Sequence, residues 1–274
     1  MDIKGKTVAI TGAARGIGKS LAVAFAQKGA RLALIDLSTD DLSGTATLCA
    51  EAGAEARTYG CNVTKEDEVV TTLNAIAADF GALDVMLNNA GIVKDGLLVK
   101  VKDGAVVGKM SLDQWNAVLN VNLTGVFLCG REAAEHMIRF GKGGVIINMS
   151  SISKDGNLGQ TNYVATKAGV AAMAVTWAKE LARFGIRTGA IAPGYCATEI
   201  LSGMTPETLA KVGEWGMGAL GFQFVDHLGD QAHVLGAVQL RQGDRAHARH
   251  YGGIEVLHQF ADRPIAAHHH IGAL

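Results

Sequence analysis

Tyr163 and Lys167 stand four residues apart where a helical pattern begins, so both side chains fall on one face of that helix. A tyrosine hydroxyl ionises near pH ~10 in water and is a poor acid or base at neutral pH. A neighbouring ammonium favours the phenolate and lowers that value, which makes the hydroxyl usable for proton transfer. Ser150 and Ser151 lie about a dozen residues upstream, just beyond a strand-like run, with Gly156, Asn157, Gly159 and Gln160 between. A hydroxyl there can hold a carbonyl oxygen while Tyr163 supplies the proton. Two residues at this spacing also occur as a solvated helix pair, so the rest of the chain must decide between the readings.

A second group with chemical potential is Thr11-Gly12-Ala13-Ala14-Arg15-Gly16-Ile17-Gly18, between a β-type run and an apolar-periodic segment. Glycines let the backbone turn sharply and approach a pyrophosphate with no Cβ in the way. The open N–H groups at the helix start favour negative charge. The glycine spacing differs from G-x-G-x-x-G, and no G-K-S/T follows, which disfavours a P-loop nucleotidase. Asp36 ends the next strand, eighteen residues beyond Gly18. An acid there accepts hydrogen bonds from both hydroxyls of an adenosine ribose and repels a 2′-phosphate, which favours NAD. Arg15 can lie near a 2′-phosphate, so NADP stays open.

These residues need elements to hold them. Apolar β-type runs at 7–10, 31–37, 56–61, 85–87, 145–149 and 188–191 alternate with helical patterns at 17–28, 42–52, 66–80, 112–140 and 163–184. Strands alternating with such helices imply right-handed βαβ crossovers and an α/β fold, a Rossmann-like, doubly wound parallel sheet in a single domain. Residues 97–101 and 105–109 flank Asp103-Gly104 and read as a β-hairpin inserted into this rhythm. The predicted domain spans 1–213, and 214–274 is an atypical segment.

Composition narrows the function. The 274 residues are 49% apolar and 19% charged, with a formal net charge of −1, which suits a globular enzyme and offers no basic field for nucleic acid. No run approaches the ~20 apolar residues of a membrane span, and the N-terminus shows no apolar signal core. Cys49, Cys61, Cys129 and Cys196 show no metal or disulfide spacing and read as reduced thiols of a cytoplasmic protein.

With Asn88-Asn89-Ala90-Gly91, Asn122 in Val-Asn-Leu-Thr-Gly, and Pro193-Gly194…Thr198, these motifs stand in one order over residues 3 to about 210. In that order the chain resembles the short-chain dehydrogenase/reductase (SDR) family. The resemblance implies an NAD(P)-dependent oxidoreductase acting on a small carbonyl or secondary alcohol, in a family-like homo-oligomer. It makes Tyr163 the general acid/base, with Lys167 lowering its pKa and holding the nicotinamide ribose. Ser151 would polarise the carbonyl, and Asn122 would hold a water in a proton relay. Gly12, Arg15, Gly16, Ile17 and Gly18 would take the pyrophosphate side. Asn89, Ala90 and Gly91 would pack beside the adenosine ribose, with Asn62 and Val63 flanking adenine. The family more often has Asp where Asn62 stands. Pro193, Gly194, Cys196 and Thr198 would lie by the nicotinamide, the latter two at its carboxamide. Alignment on the strand selects Ser151; counting thirteen residues back from Tyr163 selects Ser150. Ser151 is preferred, because a one-residue loop deletion costs less than a strand shift that would flip its side chains. Asn-Leu-Thr-Gly-Val-Phe and Ala-Pro-Gly-Tyr look most like beta-ketoacyl carrier-protein reductases.

The resemblance stops near Gly213. Beyond Lys211 there is no lysine, yet eight of the nine histidines fall there. Such an abrupt shift is what a change of reading frame produces, and it suggests a sheet left with an exposed edge. The histidine spacing fits no zinc pattern, so no metal is expected. Two rivals remain. One is a dinucleotide-binding protein whose altered ending has cost it catalysis. The other is an epimerase or dehydratase, a group that shares Y-x-x-x-K but lacks Asn-Asn-Ala-Gly.

Overall fold

A computed structural model describes residues 2–194, 224–228 and 231–235. Six strands form a parallel sheet: β1 (Thr7–Thr11), β2 (Arg31–Asp36), β3 (Ala56–Gly60), β4 (Val85–Asn88), β7 (Gly144–Met149) and β8 (Ile186–Ile191). Their spatial order is β3-β2-β1-β4-β7-β8. The chain moves outward from β1 through β2 and β3, then restarts at β4 on the other side. This reversal opens a crevice at the carboxyl ends of β1 and β4, where α/β sheets bind ligands.

Why these runs form central strands is visible in their burial. Every residue of β1, β4 and β7 is buried, as expected of strands covered on both faces. Alternation then sorts the side chains. Val8, Ile10, Leu32 and Leu34 face Ala22, Phe25 and Ala26 of α1 (Gly16–Gln27), with Cys49 of α2 (Ser43–Glu51) in the same cluster. Ala9, Ala33 and Met86 face the other way, toward α3 (Glu66–Phe80) and α5 (Gly125–Phe140). The register Val8↔Leu32 and Ile10↔Leu34 keeps like faces together.

The expected helix over 112–140 is divided. α4 (Leu112–Leu119) begins with a capping box, in which Gln114 N donates to Ser111 Oγ and Ser111 N donates to Gln114 Oε1. A π-helical turn, Asn120–Thr124, then joins α4 to α5. The last long helix, α6, starts two residues earlier than expected and spans Thr161–Leu181.

The hairpin stands where its Asp-Gly signal places it: β5 (Val99–Lys102) pairs antiparallel with β6 (Ala105–Lys109). Asp103 (φ 51°) and Gly104 (φ 77°) supply the two left-handed residues that a tight hairpin turn needs. Its base is tied to the segment before Tyr163. Gly96 N donates to Gly159 O, and Asn162 Nδ2 donates to the carbonyls of Lys94 and Gln114.

The expectation of an exposed edge beyond β8 is corrected. β9 (Phe224–Leu228) pairs antiparallel with β8 at Ala190↔Val225, and β10 (Gln231–Leu235) pairs antiparallel with β9. Composition hides this pair, because the two runs, Phe-Val-Asp-His-Leu and Gln-Ala-His-Val-Leu, are short and set in a stretch rich in histidine and glycine. Among the described residues, no helix is long and apolar enough to cross a membrane.

Candidate active site

The glycine turn is shaped by contacts that tolerate no side chain. Gly12 has φ +68°, and a Cβ there would lie 2.9 Å from Ala90 Cα. A Cβ on Gly18 would lie 2.0 Å from Gly12 O. Asn89 Nδ2 donates to the carbonyls of both Thr11 (3.0 Å) and Gly12 (3.1 Å). Thr11 Oγ1 accepts from Asn89 N and Ala90 N, each at 3.0 Å. The turn and the end of β4 are therefore one unit. Thr45, fully buried on α2, donates to Ala13 O at 2.9 Å and holds the turn from behind. The N-cap of α1, Arg15, makes no side-chain cap, and no acid lies in the helix's first turn. That leaves the N-terminal N–H groups facing outward with favourable potential for an anion.

Asp36 closes the neighbouring corner. Its Oδ2 accepts from Ala14 N at 3.0 Å and its Oδ1 from Leu37 N at 2.9 Å. These main-chain donors fix the carboxylate at the end of β2, half-buried beside the glycine turn, while each oxygen keeps lone pairs for ribose hydroxyls. Arg15 is exposed at the rim. Asn62 Oδ1 accepts from Thr64 N and Oγ1, so its amide nitrogen is the end left for a base. Val63 is buried against Gly125, where an added Cβ would come within 2.8 Å of Val63 Cγ2.

The second half of the site lies at the ends of β4 and β7 and on α6. Lys167 is buried, and its Nζ donates to Met149 O at 2.7 Å. The same nitrogen sits 5.4 Å from the centroid of the half-buried Tyr163 ring. Burial lowers the Lys167 ammonium to about 8. Gly91 lies alongside; a Cβ there would meet Asn122 Oδ1 at 3.4 Å and Lys167 Nζ at 3.6 Å. Asn122 is fully buried and clasps one residue from both sides: Ile92 N donates to its Oδ1, and its Nδ2 donates to Ile92 O.

The two serines separate by the direction of their hydroxyls. Ser150 Oγ donates to Lys167 O at 2.7 Å, which commits its proton to the scaffold. Ser151 caps the short turn Ile152–Asp155, accepting from Ser153 N at 3.1 Å, which leaves its own proton to donate. Pro193 O accepts from Ile152 N, bringing Pro193 and Gly194 beside that turn. Cys196 and Thr198 lie outside the described residues. Cys49, Cys61 and Cys129 are buried, and burial raises all three thiols.

Lys167 carries a pH signature. Burial disfavours its charged form, so the folded chain releases this proton above about pH 8, while the unfolded chain holds it to ~10.4. In that window the unfolded state binds more protons, so stability rises with pH. The cost of burying the ammonium is full below about pH 8 and is relieved by about pH 10.4. Denaturant unfolding of wild type and Lys167→Met should therefore diverge. The wild type gains about 3 kcal/mol relative to the variant between about pH 7 and about pH 10.4. A constant difference over that range would show that the ammonium carries no burial penalty.

A parallel sheet with this strand reversal, a glycine turn into a helix and an acid at the end of β2 define a dinucleotide-binding α/β protein. The sequence pattern of the family described as short chain dehydrogenase matches residues 6–208. The chain belongs to that family and is an oxidoreductase that uses a nicotinamide dinucleotide. It is similar to the 3-oxoacyl-(acyl-carrier-protein) reductase FabG of Thermotoga maritima, 41% identical over 199 residues, or 72% of this chain and 77% of that one. The Staphylococcus epidermidis reductase of the same name is 38% identical over 204 residues, covering 74% and 80% of the two chains. Among solved structures, a short-chain type dehydrogenase/reductase from Mycobacterium marinum superposes with TM-score 0.69 at 33% identity, over 78% of this chain and 80% of that one. An NAD+-bound xylitol dehydrogenase superposes with TM-score 0.64 at 33% identity, over 71% and 72%.

Several residues that shape the site carry no sequence signal of their own. Thr45 is one of two threonines in α2. Thr188, which donates to Ala174 O, and Asn148, whose Nδ2 donates to Val170 O, are the one threonine and the one amide of their strands. Asn162 is the exception, since its place immediately before Tyr163 is itself a clue. It is fully buried, and its Oδ1 accepts from Tyr163 N.

Proposed function

We propose that this chain reduces a carbonyl to a secondary alcohol, reversibly, with NAD(H) and with Tyr163 as the proton donor. The carrying observation is the buried Lys167 ammonium, tethered to Met149 O and held against the Tyr163 ring. That arrangement keeps a positive charge where it stabilises a phenolate, so the hydroxyl can give up its proton near neutral pH. Ser151 donates to the carbonyl oxygen and orients it toward Tyr163. Two of the three Lys167 hydrogens remain for ribose hydroxyls after the bond to Met149 O. Asn122 acts through the main chain, because its amide is spent on Ile92. Its π-helical turn breaks the i to i+4 pattern and offers a carbonyl to a water that resupplies the proton. When bound, the nicotinamide supplies or accepts the hydride.

The residues present fit the dinucleotide. A cradle that any Cβ at Gly18 would fill, uncapped N–H groups at α1, and the Asp36 carboxylate match a pyrophosphate and an adenosine ribose in turn. Asp36 favours NAD, since a 2′-phosphate would meet a carboxylate already fixed by two main-chain donors. The unit that carries this chemistry spans residues 1–213. A 3-oxoacyl thioester is the substrate class we place first, on the identity to reductases named for that group.

Fluorescence titration with NADH and NADPH tests the cofactor assignment. Wild type should bind NADH more tightly, and Asp36→Asn should reverse or erase the preference, a change of about tenfold or more. Tighter NADPH binding by wild type would mean that Arg15 outweighs Asp36.

A further inference from the structure

α6 carries both Tyr163 and Lys167, yet the half of the helix that holds them buries few large apolar side chains. The buried residues are Asn162, Thr166, Lys167, Val170, Ala174 and Ala178. Large apolar knobs, which normally lock a helix in place, are confined to its C-terminal end, where the Trp177 ring packs over Gly130 of α5 and Leu181 meets the same core cluster. Polar side chains from the sheet bond the rest of the face. Ser150 Oγ donates to Lys167 O, Asn148 Nδ2 to Val170 O at 3.2 Å, and Thr188 Oγ1 to Ala174 O. The acceptors at 167, 170 and 174 are spaced as one face of a helix. These carbonyls lie inside the helix, and each has a second lone pair for the sheet donor.

We propose that Asn148 and Thr188, acting with Ser150, are positioning residues that set the register of α6 and thereby place Tyr163 and Lys167. The inference rests on the reading of that pair as the acid/base machinery. A slip of one residue along α6 means a 1.5 Å rise and a turn of roughly 100°, which would break all three bonds and carry Tyr163 and Lys167 away from the end of β7, where Lys167 Nζ meets Met149 O. Asn148 is itself oriented. It faces Asn88 in the strand register, and Asn88 Nδ2 donates to Asn148 Oδ1 at 2.9 Å. That pair is costly, because Asn88 Oδ1 is buried with no partner among the described residues. A buried orphan acceptor costs about 1–3 kcal/mol, and a matched apolar pair would avoid it. Keeping the amides therefore makes physical sense where orientation is worth more than stability.

The test uses Thr188→Val, which removes the hydroxyl with little change of shape, alone and with Asn88→Leu and Asn148→Leu. Thr188→Ser restores the donor while removing a methyl group. Two readouts are taken on the full chain, with folding checked by thermal unfolding. One is kcat for reduction of acetoacetyl coenzyme A. The other needs no substrate: the phenolate absorbance of Tyr163 against pH, isolated by subtracting the same background carrying Tyr163→Phe. The triple variant should stay folded, lose on the order of 10²-fold in kcat, and show Tyr163 titrating nearer the ordinary tyrosine value. Thr188→Val should show a smaller loss, and Thr188→Ser should recover it. A folded triple variant with unchanged titration overturns the inference, as does a Thr188→Ser variant no more active than Thr188→Val. If the triple variant does not fold, the Thr188 pair decides. Wild-type turnover retained in Tyr163→Phe would instead overturn the acid/base reading, with the α6 titration still to be judged on its own.

Discussion

Tyr163→Phe is expected to lower kcat by about 10³-fold while leaving the dissociation constant for NADH within about twofold of wild type. The variant keeps the ring, and with it the packing against Lys167 Nζ at 5.4 Å. It removes only the hydroxyl proposed to donate the proton. Nothing in the glycine turn changes, since Asn89 Nδ2 holds the carbonyls of Thr11 and Gly12, and main-chain donors of Ala14 and Leu37 hold Asp36. The loss should therefore appear in the chemical step. Single-turnover oxidation of prebound NADH by any carbonyl that wild type reduces measures it directly. Parallel serine variants sharpen the result. Ser151→Ala should reduce the same rate constant with little change in stability. Ser150→Ala removes the donor to Lys167 O, so it should lower thermal stability as well as activity. Turnover by Tyr163→Phe at the wild-type rate would remove this residue from the mechanism.

Legibility from sequence follows the range of the physics involved. The alternation of strands and helices is a local signal, and all six parallel strands and the hairpin lie close to where periodicity and the Asp-Gly turn place them. The glycine turn and Asp36 stand out as residue types at the ends of their strands, although Gly12 meets Ala90 and Asp36 accepts from Ala14 N across elements. The motif around Asn122 marks the residue but not how it is held. Its amide grips Ile92, thirty residues away, and a π-helical turn leaves no mark on side-chain spacing. The choice between Ser150 and Ser151 needs three dimensions, because it depends on which hydroxyl points at α6. Thr188, Asn148 and Thr45 make their bonds across elements, where pattern reading has no purchase. The antiparallel pair β9 and β10 escapes a reading based on composition, because residue usage does not decide pairing. A strand needs only a short extended run and an available edge.

Gly18→Ala is expected to abolish measurable dinucleotide binding, a loss of at least about 100-fold, and to destabilise the chain by about 3 kcal/mol. The new methyl carbon would stand 2.0 Å from Gly12 O and 2.6 Å from Asn89 Nδ2. Neither neighbour can yield cheaply. Gly12 is main chain at φ +68°, pressed against Ala90 Cα, and the Asn89 amide is tied to two carbonyls of the same turn. α1 must therefore move outward, carrying its N–H groups away from the phosphate position and loosening the grip of Ala14 N on Asp36. Gly44→Ala is the control, since Gly44 lies within α2 and a Cβ there meets nothing within 4 Å. Helix propensity alone should leave that variant as stable as wild type or better, by up to about 1 kcal/mol, with binding unchanged. NADH titration and thermal unfolding of the two variants side by side separate the contact from the substitution. If Gly18→Ala binds NADH as wild type does, the close approach of α1 to the glycine turn is not what forms the site, and the same result would weaken the assignment of Gly12 and Gly16 beside it.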